Sequence, residues 1–223
     1  MPPKQPNILF VLTDQQRSNT VHAAGNPYIR TPVMDRLCRE GVNFRKGYTP
    51  SPVCVSARAA IVTGQHPHNN GCYDNGFPQP QDRPSMMDLL STAGYYCHGV
   101  GKMHFTPERN ALRGFHSRET QEEICRTVEV DDYLKAVHEE GFEHVHDVMG
   151  ARGEMYYIPQ ISQLPARLHP TAWVADRSID FLKRRDPSKP FFLWSSFIHP
   201  HPPFSPPTPW NKLYRGANMP LPR

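Results

Sequence analysis

The pattern of apolar and polar positions along the chain predicts strands that alternate with helices. The run Asn7–Thr13 (NILFVLT) is short and almost wholly apolar, as is typical of a strand buried on both faces of a parallel sheet. Apolar runs also predict strands over Tyr95–Val100 and Phe191–Ile198, and the pattern predicts a further extended segment over Val42–Tyr48. Strands that alternate with helices indicate an α/β fold with a largely parallel sheet.

Helix signals fall between these strands. Thr31 and Pro32 are typical of an N-cap and a first helical residue, and they predict a helix that runs to about Glu40 and stops at Gly41. Flanking glycine and proline residues predict helices over Ser56–Thr63 and Ser85–Thr92, and the sequence predicts further helices over Asp131–Glu140 and Thr171–Arg185.

The helix predicted over Thr171–Arg185 is amphipathic, with Trp173, Ile179 and Leu182 spaced for one buried face. Between residues 105 and 168 the periodicity is weak, which suits an insertion around a functional site. The segment HPHPPFSPPTPW that follows the last strand is too rich in proline for regular structure.

Composition and charge exclude several classes of protein. The chain has 25 basic and 21 acidic residues, a formal net charge of +4, and no basic run of the kind that binds nucleic acid. A mildly positive protein suits an anionic substrate. No apolar run approaches the length of a membrane span, so we expect no membrane association.

The cysteines and the first residues bear on the cellular compartment. Five cysteines, an odd number without CxxC spacing, argue against a disulfide scaffold and a thiolate zinc site; they are Cys38, Cys54, Cys72, Cys97 and Cys125. The opening MPPKQPNILFVLTDQQ runs directly into a strand, without the pattern of a signal peptide. We therefore expect a cytoplasmic protein.

Polar side chains with chemical potential follow three of the predicted strands. Asp14 comes after the first, Lys102 and His104 after the second, and His199 and His201 after the third. Ligands of open α/β sheets bind beyond the carboxyl ends of the strands. We therefore expect these side chains to lie in one region.

Cys54 lies where a proline-containing loop meets a helix start, in SPVCVSARAAIVTG. Helix N-termini favour anions, and Arg58, one turn later, could pair with an anion or hold the loop. A single cysteine is usually a small buried apolar residue, but this order of cysteine, arginine and apolar helix is less generic. Asp14 alone could be a metal ligand, a helix cap or a solvated loop residue, and Gln15 could offer a carbonyl oxygen to a hard cation.

Four motifs in order resemble the formylglycine-dependent sulfatases of the alkaline-phosphatase-like superfamily. CVSAR followed by AAIVTGQHPHNNG is similar to the signature in which a cysteine is oxidised to Cα-formylglycine. PNILFVLTDQQ resembles the first strand and metal-binding aspartate, GKMHF the sulfate-binding lysine and histidine, and SFIHPHPPF a later segment whose histidine faces the substrate oxygen. With CYDNG, they resemble the Asp-Gln subgroup that includes choline sulfatase and arylsulfatase-like enzymes.

The resemblance implies a metal site and a nucleophile. Asp14 and Gln15 would bind a divalent cation, with calcium favoured over magnesium, and the modified Cys54 would also contact it. The hydrated aldehyde of Cα-formylglycine would be the nucleophile, so a formylglycine-generating maturation enzyme would be a partner. Ser56 stands where the family motif usually has proline or alanine, which bears on whether Cys54 is converted.

The resemblance also implies the groups that bind the substrate. Arg58 would hold the formylglycine hydrate, and Lys102 and His104 would bind the oxygens of a small anionic sulfate ester. His201 would assist departure of the alcohol, and His199 is the neighbouring alternative. The lysine–histidine pair favours a sulfuric ester hydrolase over a phosphodiester or phosphonate monoester hydrolase of the same superfamily.

The implied fold is a largely parallel mixed sheet flanked by helices, incomplete at its C-terminus. Residues 1–223 would be the N-terminal part of a sulfatase catalytic domain, because the Asp-Asn metal pair and second lysine of the family's later part have no match here. A truncated, non-catalytic chain is the third interpretation. An incomplete sheet would expose an edge to self-association or to a partner, and a homo-oligomer stays open at this stage.

Overall fold

A computed structural model describes residues 5–214, 216 and 219 of the chain. Four strands in this part form one sheet in the order β1-β4-β2-β3, and all three pairings are parallel. The strands are β1 (Ile8–Thr13), β2 (Tyr96–Gly101), β3 (Ser117–Thr120) and β4 (Phe191–Phe197). The predicted α/β fold with a parallel sheet is confirmed.

The helices lie where the sequence predicts them, with bounds that shift by one or two residues. They are α1 (Pro32–Glu40), α2 (Cys54–Thr63), α3 (Pro67–Asn70), α4 (Met86–Thr92), α5 (Asp132–Glu139) and α6 (Pro170–Arg184). The short helix α3 was not predicted. Among the described residues, no helix combines the length and the apolar character needed to cross a bilayer.

Both faces of the central strand β4 are covered. Phe192 and Trp194 point to the layer that contains α2 and α4, where they pack with Val62 and Met87. Leu193 points to the opposite layer, which is built from α5 and α6. The sheet therefore lies between two helical layers, and its carboxyl edge is left for the loops that carry the polar residues.

The structure qualifies two predictions about extended segments. The extended segment predicted over Val42–Tyr48 pairs with no strand in the described part of the chain; it is an exposed loop with a turn at Arg45 and Lys46. Strand β1 is not buried on both faces, because it lies at the sheet edge and Leu9 and Val11 are 53% and 54% exposed.

The predicted buried face of α6 is correct only in part. Trp173 is buried, but Ile179 is 45% exposed, and Ser178 takes an inward position instead. The Ser178 hydroxyl lies 2.7 Å from the Ser195 hydroxyl of β4. A serine whose hydroxyl has a hydrogen-bond partner can be buried against a sheet. The spacing of apolar residues does not predict such a buried polar position.

The weakly patterned region contains a strand that the sequence did not predict. Strand β3 reads SRET and pairs with β2 from His98 to Gly101. Its backbone hydrogen bonds and the flanking α5 hold it in the sheet, since the strand itself offers almost no apolar side chain. The polar residues after β3 are thereby brought to the same sheet edge as those after the other strands.

Candidate active site

The polar residues predicted to follow the strands converge at the carboxyl edge of the sheet. Asp14 follows β1 and donates its backbone N–H to Phe197 O at 3.0 Å, while the backbone N–H of Lys102 donates to Ser196 O at 3.1 Å. These bonds extend the ladder beyond β1 and β2 and fix the positions from which both side chains leave the sheet. His201 lies four residues beyond the end of β4.

Cys54 is the first residue of α2 and faces this edge. Its sulfur, an oxygen of Asp14 and a ring nitrogen of His201 all lie within 4.8 Å of one another. The positive end of the helix dipole also points to this place. Behind it, the side-chain oxygen of Asn75 accepts the backbone N–H of Val55 at 3.1 Å, which satisfies one of the free amides of α2.

Arg58 joins the ends of three strands. Its guanidinium donates to Asp14 Oδ2 at 3.1 Å, to Ser196 Oγ at 3.0 Å and to the backbone oxygen of Lys102. The side chain is only 3% exposed. Arg58 therefore orients Asp14 and the start of the loop after β2.

Lys102 is fully buried between two carboxylates. Its Nζ lies 2.9 Å from Asp14 Oδ2 and 3.1 Å from Glu123 Oε2. Burial acts to raise the pKa of Asp14, but Lys102 and Arg58 outweigh it and the pKa is lowered. Asp14 is therefore an ionised carboxylate, with Oδ2 engaged by two cations and Oδ1 facing Cys54 Sγ at 3.9 Å.

Glu123 is the site residue that the sequence did not predict. It follows β3, and its Oε2 lies 3.5 Å from His201 Nε2 in addition to the contact with Lys102. Its Oε1 accepts from Arg152 Nη2 at 2.9 Å. Ligands of open α/β sheets bind beyond the carboxyl ends of the strands. If the sequence had predicted β3 as a strand, this rule would have placed Glu123 beside the other site residues.

His104 lies beside these charges in a rare backbone conformation. Its φ is +53°, and Gln15, which follows Asp14 in the chain, has φ +56°. Non-glycine residues seldom adopt this left-handed region, and when they do they concentrate at functional sites. Burial, reinforced by Lys102 and Arg58, lowers the pKa of His104 to about 4, so its imidazole is neutral at neutral pH.

The two remaining predicted residues, Gln15 and His199, lie in different surroundings. The Gln15 side chain is exposed and lines a cleft of about 510 Å³ that also contains Asp14, Cys54 and Arg58. His199 points elsewhere, with its ring 4.8 Å from that of His169. Of the two histidines in the HPHPP segment, His201 is the one that faces Cys54.

The thiol of Cys54 is not activated by its surroundings. Burial is the largest cause of its raised pKa; Lys102 opposes that effect, while Asp14 adds to it. A nucleophilic cysteine normally has a lowered pKa, so this environment does not favour a thiolate. All five cysteines are free in the structure.

Comparisons with known proteins place these observations in a family. The sulfatase family model matches residues 6–223. An arylsulfatase of Clostridium perfringens is 37% identical over 237 residues, which cover 98% of this chain and 48% of the relative. A choline-sulfatase of Rhizobium meliloti is 28% identical, over 90% of this chain and 39% of the relative.

A solved structure supports the same fold. The phosphonate monoester hydrolase of Agrobacterium radiobacter matches with a TM-score of 0.81 and 25% identity, over 97% of this chain and 45% of that one. The chain thus spans less than half the length of each of these three proteins.

Proposed function

This chain belongs to the sulfatase family, and from that premise we propose that the protein hydrolyses sulfate monoesters, with residues 1–223 in the N-terminal part of its catalytic domain. One observation carries the proposal. Cys54, at a helix N-terminus, faces Asp14 and His201 at the sheet edge where Arg58 and Lys102 are buried. This arrangement surrounds a nucleophile position with cationic groups, as attack on an anionic ester requires.

The nucleophile is proposed to be Cα-formylglycine formed from Cys54. This group supplies a hydrated aldehyde, whose hydroxyl can attack sulfur and whose carbonyl can reform when sulfate leaves. The raised pKa of the unmodified thiol supports the need for such a conversion. Ser56 fits the folded protein, since its buried hydroxyl donates to Cys72 O at 2.5 Å.

The substrate anion is proposed to bind between Lys102, Arg58 and His104. Lys102 and Arg58 provide fixed positive charge in a buried place, where electrostatic stabilisation of a developing anion is strong. His104 is neutral, and its buried Nδ1 has no hydrogen-bond partner among the described residues. This ring nitrogen is therefore available to a ligand oxygen or hydroxyl.

His201 is proposed to protonate the departing alcohol. Its Nδ1 lies 2.6 Å from Pro202 O, and because a carbonyl oxygen can only accept, Nδ1 carries a hydrogen. Nε2 is therefore the nitrogen left to face the bridging oxygen of the ester. A histidine in this position can serve as a general acid when its ring is doubly protonated, because Nε2 then carries the hydrogen that passes to the departing oxygen.

The residues fit part of a divalent cation site. Asp14 Oδ1 contacts neither Arg58 nor Lys102, so it can ligate a hard cation. Gln15 adjoins it in the same cleft and could supply an amide oxygen. Calcium, or magnesium as the alternative, would supply charge stabilisation at the ester oxygens, with further ligands from outside this chain.

A second candidate is the hydrolysis of phosphonate monoesters or phosphodiesters. The structural match to a phosphonate monoester hydrolase favours it. The pair formed by Lys102 and His104 favours sulfate, because the family resemblance links the GKMHF motif to sulfate binding.

The test begins with the modification. The protein is produced with a formylglycine-generating enzyme, and the tryptic peptide Gly47–Arg58 is analysed by mass spectrometry. We expect the mass of the aldehyde in the parent and its absence in Cys54→Ala. Turnover of an aryl sulfate and of an aryl phosphonate monoester is then compared in both proteins.

Three outcomes separate the candidates. Conversion of Cys54 with a higher kcat/KM for the sulfate ester supports the proposal. A preference for the phosphonate would support the second candidate. A thiol that stays unmodified, while a reference sulfatase is converted in parallel, would contradict the proposed chemistry for this chain.

A further inference from the structure

We propose that Glu123 is a positioning residue of this site, whose carboxylate holds Lys102 and His201 in the orientation that faces Cys54. The inference rests on the proposed function and adds to it a group from the region between β3 and α6. Glu123 lies 3.1 Å from Lys102 Nζ and 3.5 Å from His201 Nε2, and its side chain is 15% exposed.

The position of Lys102 depends on having two carboxylates. Its Nζ lies 2.9 Å from Asp14 Oδ2 and 3.1 Å from Glu123 Oε2, so both carboxylates hold it. Without the charge of Glu123, the flexible lysine would pair with Asp14 alone. It would then be drawn towards the proposed cation ligand and away from the ester oxygens.

The orientation of His201 depends on acceptors at both ring nitrogens. Pro202 O holds Nδ1 on one side, and the carboxylate of Glu123 lies towards Nε2 on the other. The distance of 3.5 Å is longer than a good hydrogen bond, so Nε2–H stays available to a closer substrate oxygen. Glu123 thus attracts the protonated ring by its charge without occupying the Nε2–H donor.

Glu123 is itself held by groups from a loop. Arg152 Nη2 contacts Glu123 Oε1 at 2.9 Å and the Glu123 backbone oxygen at 3.0 Å, and the Tyr156 hydroxyl lies 3.5 Å from Oε1. The Arg152 guanidinium also lies over the Tyr156 ring, 5.3 Å from its centroid. The loop between α5 and α6 therefore contacts the active site through the Glu123 carboxylate.

The experiment compares Glu123→Gln, Glu123→Asp and the control Glu143→Gln, which alters an exposed glutamate remote from these contacts. Inorganic sulfate binding is measured by calorimetry, and kcat and KM are measured with an aryl sulfate on the converted protein. We expect Glu123→Gln to weaken sulfate binding about tenfold and to lower kcat by about tenfold or more. Glu123→Asp should recover part of both, and the control should match the parent.

Each result decides the inference. Tighter sulfate binding in Glu123→Gln would identify the glutamate as a competing anion and overturn the positioning role. Unchanged binding and kcat with a lower melting temperature would overturn it in favour of a structural ion pair. A parent that binds no sulfate would overturn it as well. If the parent and Glu123→Gln differ in sulfate binding as expected but neither turns over an ester, the positioning role stands and the proposed function fails.

Discussion

At the scale of single residues, Arg58 shows how one side chain can organise a site. It spans the ends of β1, β2 and β4 with three hydrogen bonds, so the charge that would bind an anion also fixes Asp14. A lysine could not make these bonds, because only a planar guanidinium presents several donors in fixed directions. Arg58 is therefore a structural element of the site, in addition to its proposed role in binding the anion.

His169 provides a test of pH dependence at the residue scale. Its Nδ1 accepts the N–H of Thr171 as the N-cap of α6, and its Nε2 lies 3.2 Å from Ser205 O, to which it donates. Burial, only partly offset by that bond, lowers the pKa of His169 to about 4. Above pH 6.5 the ring is neutral in both the folded and the unfolded state. Between pH 6.5 and about 4 only the unfolded chain binds a proton at His169, and this favours unfolding.

Stability should therefore fall as the pH decreases from about 6.5 towards 4, and His169 alone should account for about 2 kcal/mol between pH 7 and pH 5. Asparagine at this position keeps a capping oxygen but cannot titrate in this range. We expect the unfolding free energy of His169→Asn, measured by urea denaturation, to fall by about 2 kcal/mol less than that of the parent between pH 7 and pH 5. Parallel pH profiles for the two proteins would contradict the prediction.

At the scale of elements, the sequence predicts those parts whose signal is apolar. Strands β1, β2 and β4 are visible as apolar runs, and the residues at their ends then lead to Asp14, Lys102 and His201. The apolar pattern does not predict β3 (SRET), because its pairing with β2, and not its own side chains, makes it a strand. Glu123 was missed for that reason.

Helix α1 has the bounds that its cap and stop residues predict, but its apolar side chains are not covered by the described part of the chain. The sequence predicts its bounds correctly, but its only buried residue is Asp35, which accepts the N–H of Ala23 and the hydroxyl of Thr31. Val33 and Leu37 are 69% and 62% exposed. Amphipathic spacing predicts which residues share a helix face, but not whether the described part of the chain covers that face.

The junction between β2 and the site should tolerate no side chain at Gly101. Its φ is +89°, and a Cβ there would lie 2.1 Å from Ser196 O. Gly141 is a matched control, with φ +83° and no atom within 4 Å of a Cβ. We expect Gly141→Ala to cost about 1 kcal/mol of unfolding free energy and Gly101→Ala more than about 3 kcal/mol. Equal losses in chemical denaturation would show that the contact with Ser196 relaxes without cost.

At the scale of the whole molecule, the sheet has an open edge beside an uncovered apolar surface. Strand β1 pairs only with β4 in the described part of the chain, which leaves the backbone groups of its other edge unpaired. Leu9 and Val11, on the α6 side of the sheet, lie beyond the reach of that helix and are about half exposed. Free strand edges with apolar side chains are templates for association.

We therefore expect this 223-residue chain to self-associate through β1 as its concentration rises. Val11→Lys places a charge on the exposed face without disturbing the core on the other face, and it should shift sedimentation towards the monomer. Leu112→Lys is the control, because Leu112 is 49% exposed but lies outside the strands. A parent chain that sediments as a monomer at every concentration would contradict the prediction, and equal effects of the two lysines would show that added charge, not the edge of β1, governs association.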